Sequence, residues 1–437
     1  MMIQNGVTNL VSLIDNVMVG AVGTEAMSGV SIINQFLFVF NLLIFGAVSA
    51  AGLFTAQYHG MGDIGGVRNT FRLKLIINLI ATTAAIGFLI VAQDNLIGIF
   101  LHESESTGDL ALTLGHAKDY LAIMLIGLAP CAITQVYAST MRETGDTRLP
   151  MIASTCAVFV NLVLNAVLIF GLFGLPALGV KGAAIATVIS RFAELLILMV
   201  SAHVKTEKYV FAKGVYKSFR IPGTLVKNTI IKGLPIMLNE LLWAAAMTAR
   251  NGCYATRGLD VVAALNITTT ITNLFSVIYM SIGSAIAIIV GNQLGAGEID
   301  RAKDTARKML VFSLAASVCM GALLSAISPI FPLIYNTTSD VRGIATYAIL
   351  ISAVTMPLQS FAHSSYFTIR SGGRVFVTLL FDSVFVWVVT YPLAFALSTF
   401  TGMNIYLLYA LCQGAEVIKV IFGAVLLKKI DWAKRIV

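Results

Sequence analysis

Charge is what this sequence has least of. Only 11% of its 437 residues are Asp, Glu, Lys or Arg, against about 25% in an ordinary soluble domain. Length alone would allow roughly two to four soluble domains, but 29 basic and 21 acidic side chains cannot coat their surfaces. A water-soluble enzyme is excluded. Cysteine is scarce too. Cys131, Cys156, Cys253, Cys319 and Cys412 stand singly in or beside apolar stretches with no CxxC pair, which points to reduced, structural thiols. His59, His102, His116, His203 and His363 make no pair at metal-ligand spacing, and there is no P-loop, GxSxG or HExxH. Transport powered by ATP hydrolysis in this chain is excluded with them, and no cofactor is expected. Residues 1 to 20 have no basic leader and no small-residue cleavage site, so no cleavable signal peptide is expected.

What the chain has in abundance is apolar length. Hydrophobic residues make up 58% of it, and the mean hydropathy is +0.88. A membrane-spanning helix needs about 20 mainly apolar residues, which leaves room for about a dozen. Runs bounded by Gly, Pro or charge fall at 1–19, 26–59, 70–100, 112–141, 149–172, 180–203, 225–256, 260–293, 301–334, 340–370, 374–398 and 403–430. An all-α polytopic membrane protein with twelve transmembrane helices, embedded in a lipid bilayer, is the class that fits.

The formal net charge of +8 would suggest nucleic acid in a soluble protein. Here the basic residues sit in short clusters between apolar segments with no aromatic-interleaved basic face, so no nucleic-acid partner is implied, and nothing implies a partner protein. Their placement gives orientation instead. One set of loops carries 22 lysines and arginines, among them Arg68, Arg72, Lys74, Lys205, Lys232, Arg301, Arg370 and Arg435; the opposite set carries only Lys118, Lys181, Arg250, Arg257 and Arg342. Basic loops stay in the cytoplasm, which places both termini there, in a cell (inner) membrane.

The chain repeats itself. Residues 16 to 75 moved forward by 235 positions meet twelve identical residues, including Gly23, Phe40, Gly60, Gly62, Ile64 and Arg72. That is well above chance for a biased composition. Six spans per unit means that both units enter the bilayer from the same side, so this is a parallel repeat: an N-lobe at 1–203, a linker at 204–224 and a C-lobe at 225–437, two pseudo-symmetric six-helix lobes with substrate expected at their interface. Pro235 would align before Met1, so the first segment begins later than its counterpart and the true start is expected upstream of Met1.

Polar residues inside the apolar segments are candidates for function, because polar groups in hydrocarbon are costly. In the first segment Gln4, Asn5, Thr8, Asn9, Ser12, Asp15 and Asn16 fall within an arc of about 140° at 100° per residue. Such a wet face implies a cavity, and a carboxylate there, Asp15, could take a proton or Na⁺. Helix capping by Asp15 is the structural alternative. Ser31, Asn34 and Gln35 in the second segment and Asn266, Thr269 and Thr270 in the eighth are matched by the repeat, each trio on one helical face. They are candidate cleft-lining residues, with helix-to-helix bonding as the other reading. Glu240, mid-segment and at the place of Asn5 in the repeat, is a second intramembrane acid. Asp382 reads equally as functional or as an end-of-helix acid near Arg374. Arg191 and Glu194 are spaced to pair along one helix, and Asn161, Asn165 and Thr187 add oxygen ligands.

These residues fall in motifs that resemble the multidrug and toxic compound extrusion (MATE) transporters along nearly the whole chain. The motifs are residues 13–20 (LIDNVMVG), 56–62 (AQYHGMG), 141–146 (MRETGD), 179–187 (GVKGAAIAT) and 233–240 (GLPIMLNE). The resemblance implies two six-helix lobes around a V-shaped cleft and an antiporter, not an enzyme, that exports organic, often cationic, small molecules in exchange for H⁺ or Na⁺. It assigns the central N-lobe cation site to Asp15. The accompanying Asn and Thr match Asn161 and Thr187, whereas Asn165 stands where some members have Asp. The lost charge weakens the case for Na⁺ and favours H⁺. The resemblance also assigns a C-lobe acid to Glu240. Two other readings stand beside it. A lipid-linked oligosaccharide flippase of related fold would need several basic residues in its cleft, where Arg191 is essentially the one mid-membrane base. A membrane-embedded enzyme or receptor would need a catalytic or metal cluster.

Overall fold

The computed structural model describes residues 18–103, 110–174, 176–335 and 337–437. Among them are eleven helices long and apolar enough to cross a membrane, and no strand. They are α1 (Thr24–Met61), α2 (Ile64–Glu103), α3 (Leu110–Glu143), α4 (Arg148–Phe170), α5 (Gly179–Val204), α6 (Gly223–Ala255), α7 (Leu259–Gly295), α8 (Ile299–Ile327), α9 (Ser339–Ser371), α10 (Val375–Phe400) and α11 (Ile405–Lys429). They occupy the second to twelfth segments read from hydropathy. The first segment, with Asn5, Asn9 and Asp15, lies outside the described residues. In hydrocarbon every backbone polar group must be bonded within its own segment, which is why such runs become helices.

Helix ends follow local chemistry. Gly62, Gly145, Gly171 and Gly297 adopt left-handed backbone just past helix ends, a conformation that glycine takes without a steric cost. Helix α8 stops at Ile327, seven residues before the end expected from hydropathy; Pro329 has no amide to donate to the preceding turn, and the chain passes into a 3₁₀ turn at Phe331–Ile334. The repeat is visible in the helix starts: α1 and α7 begin 235 residues apart, as do α2 and α8.

The chain divides into two compact units. One runs to Ile230 without Ala56–Gly62; the other comprises Ala56–Gly62 and Ile231–Val437. In the first, Lys74 of α2 is fully buried and paired with Glu143 at the end of α3. The hydroxyls of Ser139 and Thr140 accept from the same ammonium at 3.3 Å. Gly52 of α1 makes room, since a Cβ there would come within 3.1 Å of the Glu143 carboxyl carbon.

The segment between α5 and α6, expected as a linker, is folded onto the first unit. Tyr209, Phe211, Ala212 and Val215 are buried. Arg72 of α2 donates to the carbonyls of Val215 (2.7 Å) and Gly214 (3.2 Å), and Phe71 packs edge-to-face against Tyr137 and at a tilt against Phe211. Asp146, between α3 and α4, accepts from the Arg148 and Leu149 amides at 2.9 and 3.3 Å and from Tyr209 and Lys208 at 2.6 Å. Burial pushes its carboxyl up, but these four donors outweigh that and hold it at about 2.

In the second unit Ile282, Ile286, Val290 and Leu294 form an i, i+4 stripe of α7 against Tyr366, Phe367 and Ile369 of α9. Small polar residues join α8 to α9, with Ser313 and Ser360 hydroxyls 2.8 Å apart and Ser364 donating to Ser313 at 2.9 Å. The end of α1 lies close against the end of α7: a Cβ on Gly60 would collide with Asn292 backbone, and one on Gly295 with Gln57 backbone. Gln57 and Gly60 map onto Asn292 and Gly295 under the 235-residue repeat, so the contact is reciprocal. The C-terminal segment straps it. Gln57 donates to the carbonyls of Ser371 (3.1 Å) and Lys434 (3.2 Å) and accepts from the Ile436 amide (2.7 Å).

Two outcomes are expected. Lys74→Met leaves Glu143 buried without its counter-charge and should cost about 3–5 kcal/mol, most of it recovered when Glu143→Leu is added; thermal unfolding of the purified protein in detergent measures both. For Asp146, a carboxyl held below its ordinary 3.8 stabilises the fold above that pH, and the contribution fades as pH falls from about 4 toward 2. Amide exchange over 205–217 should therefore quicken across that window, and Asp146→Asn should give the quickened exchange already at neutral pH.

Candidate functional site

Three of the predicted ion-coupling residues meet in the first unit. Asn161 and Asn165 lie one turn apart on the buried face of α4, and Thr187 lies on the neighbouring α5. Asn161 donates to the Thr187 hydroxyl at 3.2 Å, and Asn165 donates to the side-chain oxygen Oδ1 of Asn161 at 3.1 Å. Thr187 in turn donates to the Ala183 carbonyl at 3.0 Å. The helices approach closely because Gly182 of α5 faces the α4 backbone, where a Cβ would sit 2.6 Å from the Leu168 carbonyl oxygen. The result is a chain of neutral oxygens and amides inside an apolar helix pair. Asp15, the carboxylate predicted to work with it, is outside the described residues.

Ser31 and Gln35 of α1 are exposed and Asn34 is half-buried. On α7, Asn266 and Thr270 line a recess of about 280 Å³ with Ala263, Ile267, Tyr335 and Thr337. Thr269 is exposed beside it and donates to its own helix at the Leu265 carbonyl, 2.8 Å away. The structure thus brings two of the three predicted α7 residues to one concavity.

The polar cluster of the second unit, unlike that of Asn161, Asn165 and Thr187, is built around charge. Glu240 of α6 is half-buried, within electrostatic reach of Arg370 and Asp382. Its neighbour Asn239 is the organising residue. Asn239 donates to Asp382 at 3.0 Å and to the Tyr366 hydroxyl at 3.3 Å, and it accepts from the Ser383 amide (3.3 Å) and hydroxyl (2.7 Å). Asp382 sits in a π-helical turn, Leu380–Val384, followed by a second, Val386–Thr390. Two causes are visible: the Asn239 side chain intrudes on the α10 ladder, and Pro392 has no amide to give the turn before it. Such widened turns recur at functional sites.

Asp382 is neither unpaired nor an end-of-helix acid of Arg374. It accepts from Lys419 of α11 at 2.6 Å, while Arg374 turns to the Asp431 carbonyl. The expectation of a single mid-membrane base at Arg191 is likewise corrected, since Lys74 and Lys419 are both buried within spans, as is Arg370 near the end of α9. Arg191 and Glu194 form no ion pair within 4.0 Å; Arg191 points to the Gly127 carbonyl at 3.5 Å, and Arg142 is the foremost counter-charge near Glu194. Lys419 and Asn239 are the residues that sequence reasoning missed. A lysine in the mainly apolar 405–427 stretch, where Gln413 and Glu416 are the other strongly polar side chains, was the available signal.

Comparison with known proteins agrees with this architecture. The MatE family profile matches residues 1–167 and 235–396. A probable multidrug resistance protein, NorM, of Thermotoga maritima is 27% identical over 404 residues, covering 90% of this chain and 82% of its own. The probable multidrug resistance protein YoeA of Bacillus subtilis is 24% identical, covering 93% and 86%. An FAD transporter of Shewanella oneidensis is 26% identical, covering 78% and 73%. Among solved structures, an outward-facing multidrug resistance MATE family transporter superposes with a TM-score of 0.87 at 21% identity, covering 98% of this chain and 94% of that one. A MOP superfamily transporter from Pyrococcus furiosus gives 0.86 at 20%, covering 98% and 95%.

The α4–α5 cluster makes a direct expectation. Asn161→Leu deletes two hydrogen bonds at once, one buried and one partly buried, and should lower stability by about 1–3 kcal/mol, read as a drop in the thermal midpoint, whereas Ser31→Ala on the exposed face of α1 should leave the midpoint within about 0.5 kcal/mol of the parent.

Proposed function

The chain belongs to the MatE family of membrane transporters, and from that premise we propose that it is a secondary active antiporter. It exports organic, often cationic, small molecules in exchange for H⁺ or Na⁺ by alternating access, from a cell membrane with both termini on the cytoplasmic side. The observation that carries this reading is the buried cluster of Asn161, Asn165 and Thr187, which supplies neutral oxygens of the kind that share a cation with a carboxylate. Asp15 is the carboxylate. The relatives named as multidrug resistance proteins support the substrate class.

The exchange follows from linkage. A cation can drive export only if it binds more tightly to the state with lower drug affinity. Asp15 with its cation bound is neutral, so it no longer attracts a cationic drug, and the polar face of its helix is free to repack. Losing the cation restores the charge and the drug affinity. With Asn165 in place of a second carboxylate, this site has one negative charge to offer, which favours H⁺. Ser31, Asn34, Gln35, Asn266, Thr269 and Thr270 are the drug-facing polar groups in this scheme, and Glu240 is a second ion-responsive acid. The flippase reading gains less support: Lys74 and Lys419 are each held by an acid of the same unit, which leaves them little free charge for a pyrophosphate.

Asp15→Asn in inverted membrane vesicles tests the scheme. Drug binding should persist and gradient-driven uptake should be lost; uptake equal to the parent protein's would remove Asp15 from the mechanism. Replacing the H⁺ and Na⁺ gradients one at a time identifies the coupling ion.

A further inference from the structure

The Asp382–Lys419 pair is not used by the exchange scheme, and its surroundings are those of a cation site. Lys419 Nζ lies 2.6 Å from Asp382 Oδ1, with side-chain exposures of 8% and 20%. The rings of Phe381 and Phe385 face the ammonium at 5.6 and 6.0 Å, and aromatic faces attract a cation. Neutral oxygens crowd the same place. Ser383 Oγ is 2.7 Å from Asn239 Oδ1, and the Tyr366 hydroxyl is 3.3 Å from Asn239 Nδ2. Asn239 turns its Nδ2 to Asp382 at 3.0 Å, and its own Oδ1 with the Ser383 and Tyr366 hydroxyls forms the network beside the carboxylate; carboxylate, amide and hydroxyl oxygens are the donor types that hard cations take, and a lysine ammonium is a compact single positive charge.

We propose that Lys419 is a tethered substitute for an alkali cation, filling at Asp382 a Na⁺ site that the second unit would otherwise offer. Helices α6, α9, α10 and α11 all contribute to the site, and the π-helical turn brings Asp382 into it. Because the cation is covalently attached, it cannot be loaded from one side of the membrane and released on the other. Na⁺ exchange is then left to Asp15, and Glu240 responds to protons alone. The other charged and titratable groups facing the pair are Glu240 and Arg250 of α6, His363 and Arg370 of α9, and Glu416 of α11. Glu240 and Glu416 offset Arg250 and Arg370 in sign, so the surroundings do not supply the missing positive charge if Lys419 is removed. A buried carboxylate stripped of its partner must find another cation or a proton.

The consequence for coupling rests on the antiport reading, but the site itself does not, and the experiment keeps the two apart by measuring ion binding to the purified full-length chain. All variants carry Asp15→Asn, so that the first unit does not contribute, and binding of radioactive Na⁺ at pH 8 is followed together with the thermal midpoint in NaCl against choline chloride. Asp15→Asn alone should show no saturable Na⁺ binding. Adding Lys419→Ala should create binding that approaches one ion per chain, with a midpoint raised by Na⁺, and further addition of Asp382→Asn should abolish it. A folded Lys419→Ala variant that ignores Na⁺, with Asp382 simply protonated, overturns the proposal, as does Na⁺ binding at Asp382 while Lys419 is still present. Lys419→Ser serves as a second variant. Should neither be recovered in choline chloride, recovery in NaCl supports the proposal and equal failure in both salts overturns it. Uptake by Asp15→Asn vesicles separately decides the exchange scheme.

Discussion

Inside a bilayer nothing but the protein itself can neutralise a charge, so a lysine or aspartate placed in a span must find its partner on another helix. This constraint selects which helices are neighbours. Lys74 on α2 can be fully buried only because Glu143 on α3 meets it and Gly52 on α1 leaves space for the carboxylate. Asp382 on α10 is held by Lys419 on α11 and by Asn239 on α6. The apolar faces of these helices resemble one another and could pack in many registers, but a buried ion pair tolerates few.

The two repeats have kept a common plan of helices while diverging in what they bury. Inside the first unit the cluster of Asn161, Asn165 and Thr187 is uncharged. Inside the second unit Asn239 organises carboxylates and an ammonium. The difference is physical and has functional weight. The side chains of the first set carry no charge of their own, whereas the ion pair carries both signs. Repeat-related positions do stay alike where geometry leaves no freedom, as at Gly60 and Gly295, where any side chain would strike backbone.

Segments that hydropathy leaves blank also proved to be built. The stretch between α5 and α6 buries Tyr209, Phe211 and Val215 and ties itself to Arg72 and Asp146. The C-terminal strap fastens on Gln57 and buries Trp432. Both gather at helix ends rich in basic residues, where backbone carbonyls of the connecting chain can accept from arginine and glutamine side chains. Such bonds need no ordered secondary structure and leave little trace in composition.

The sequence by itself determined the order of the eleven spans among the described residues, their limits to within a few residues in most cases, and the 235-residue repeat. Hydropathy and the Gly, Pro and charge punctuation that ends helices are properties of neighbouring residues, so they can be read along a line. It also marked Asn161, Asn165 and Thr187 as one set, and the structure joins them by hydrogen bonds. Only the tertiary structure decided the partners of the charges. Spacing alone joined Arg191 to Glu194, placed Asp382 beside Arg374 and counted Lys74 among the loops. In the folded chain Arg142 is foremost beside Glu194, Asp382 takes a lysine 37 residues away, and Lys74 is buried. Which charge meets which depends on how helices are placed around one another, and a partner distant in the chain costs no more than a near one once the helices have packed.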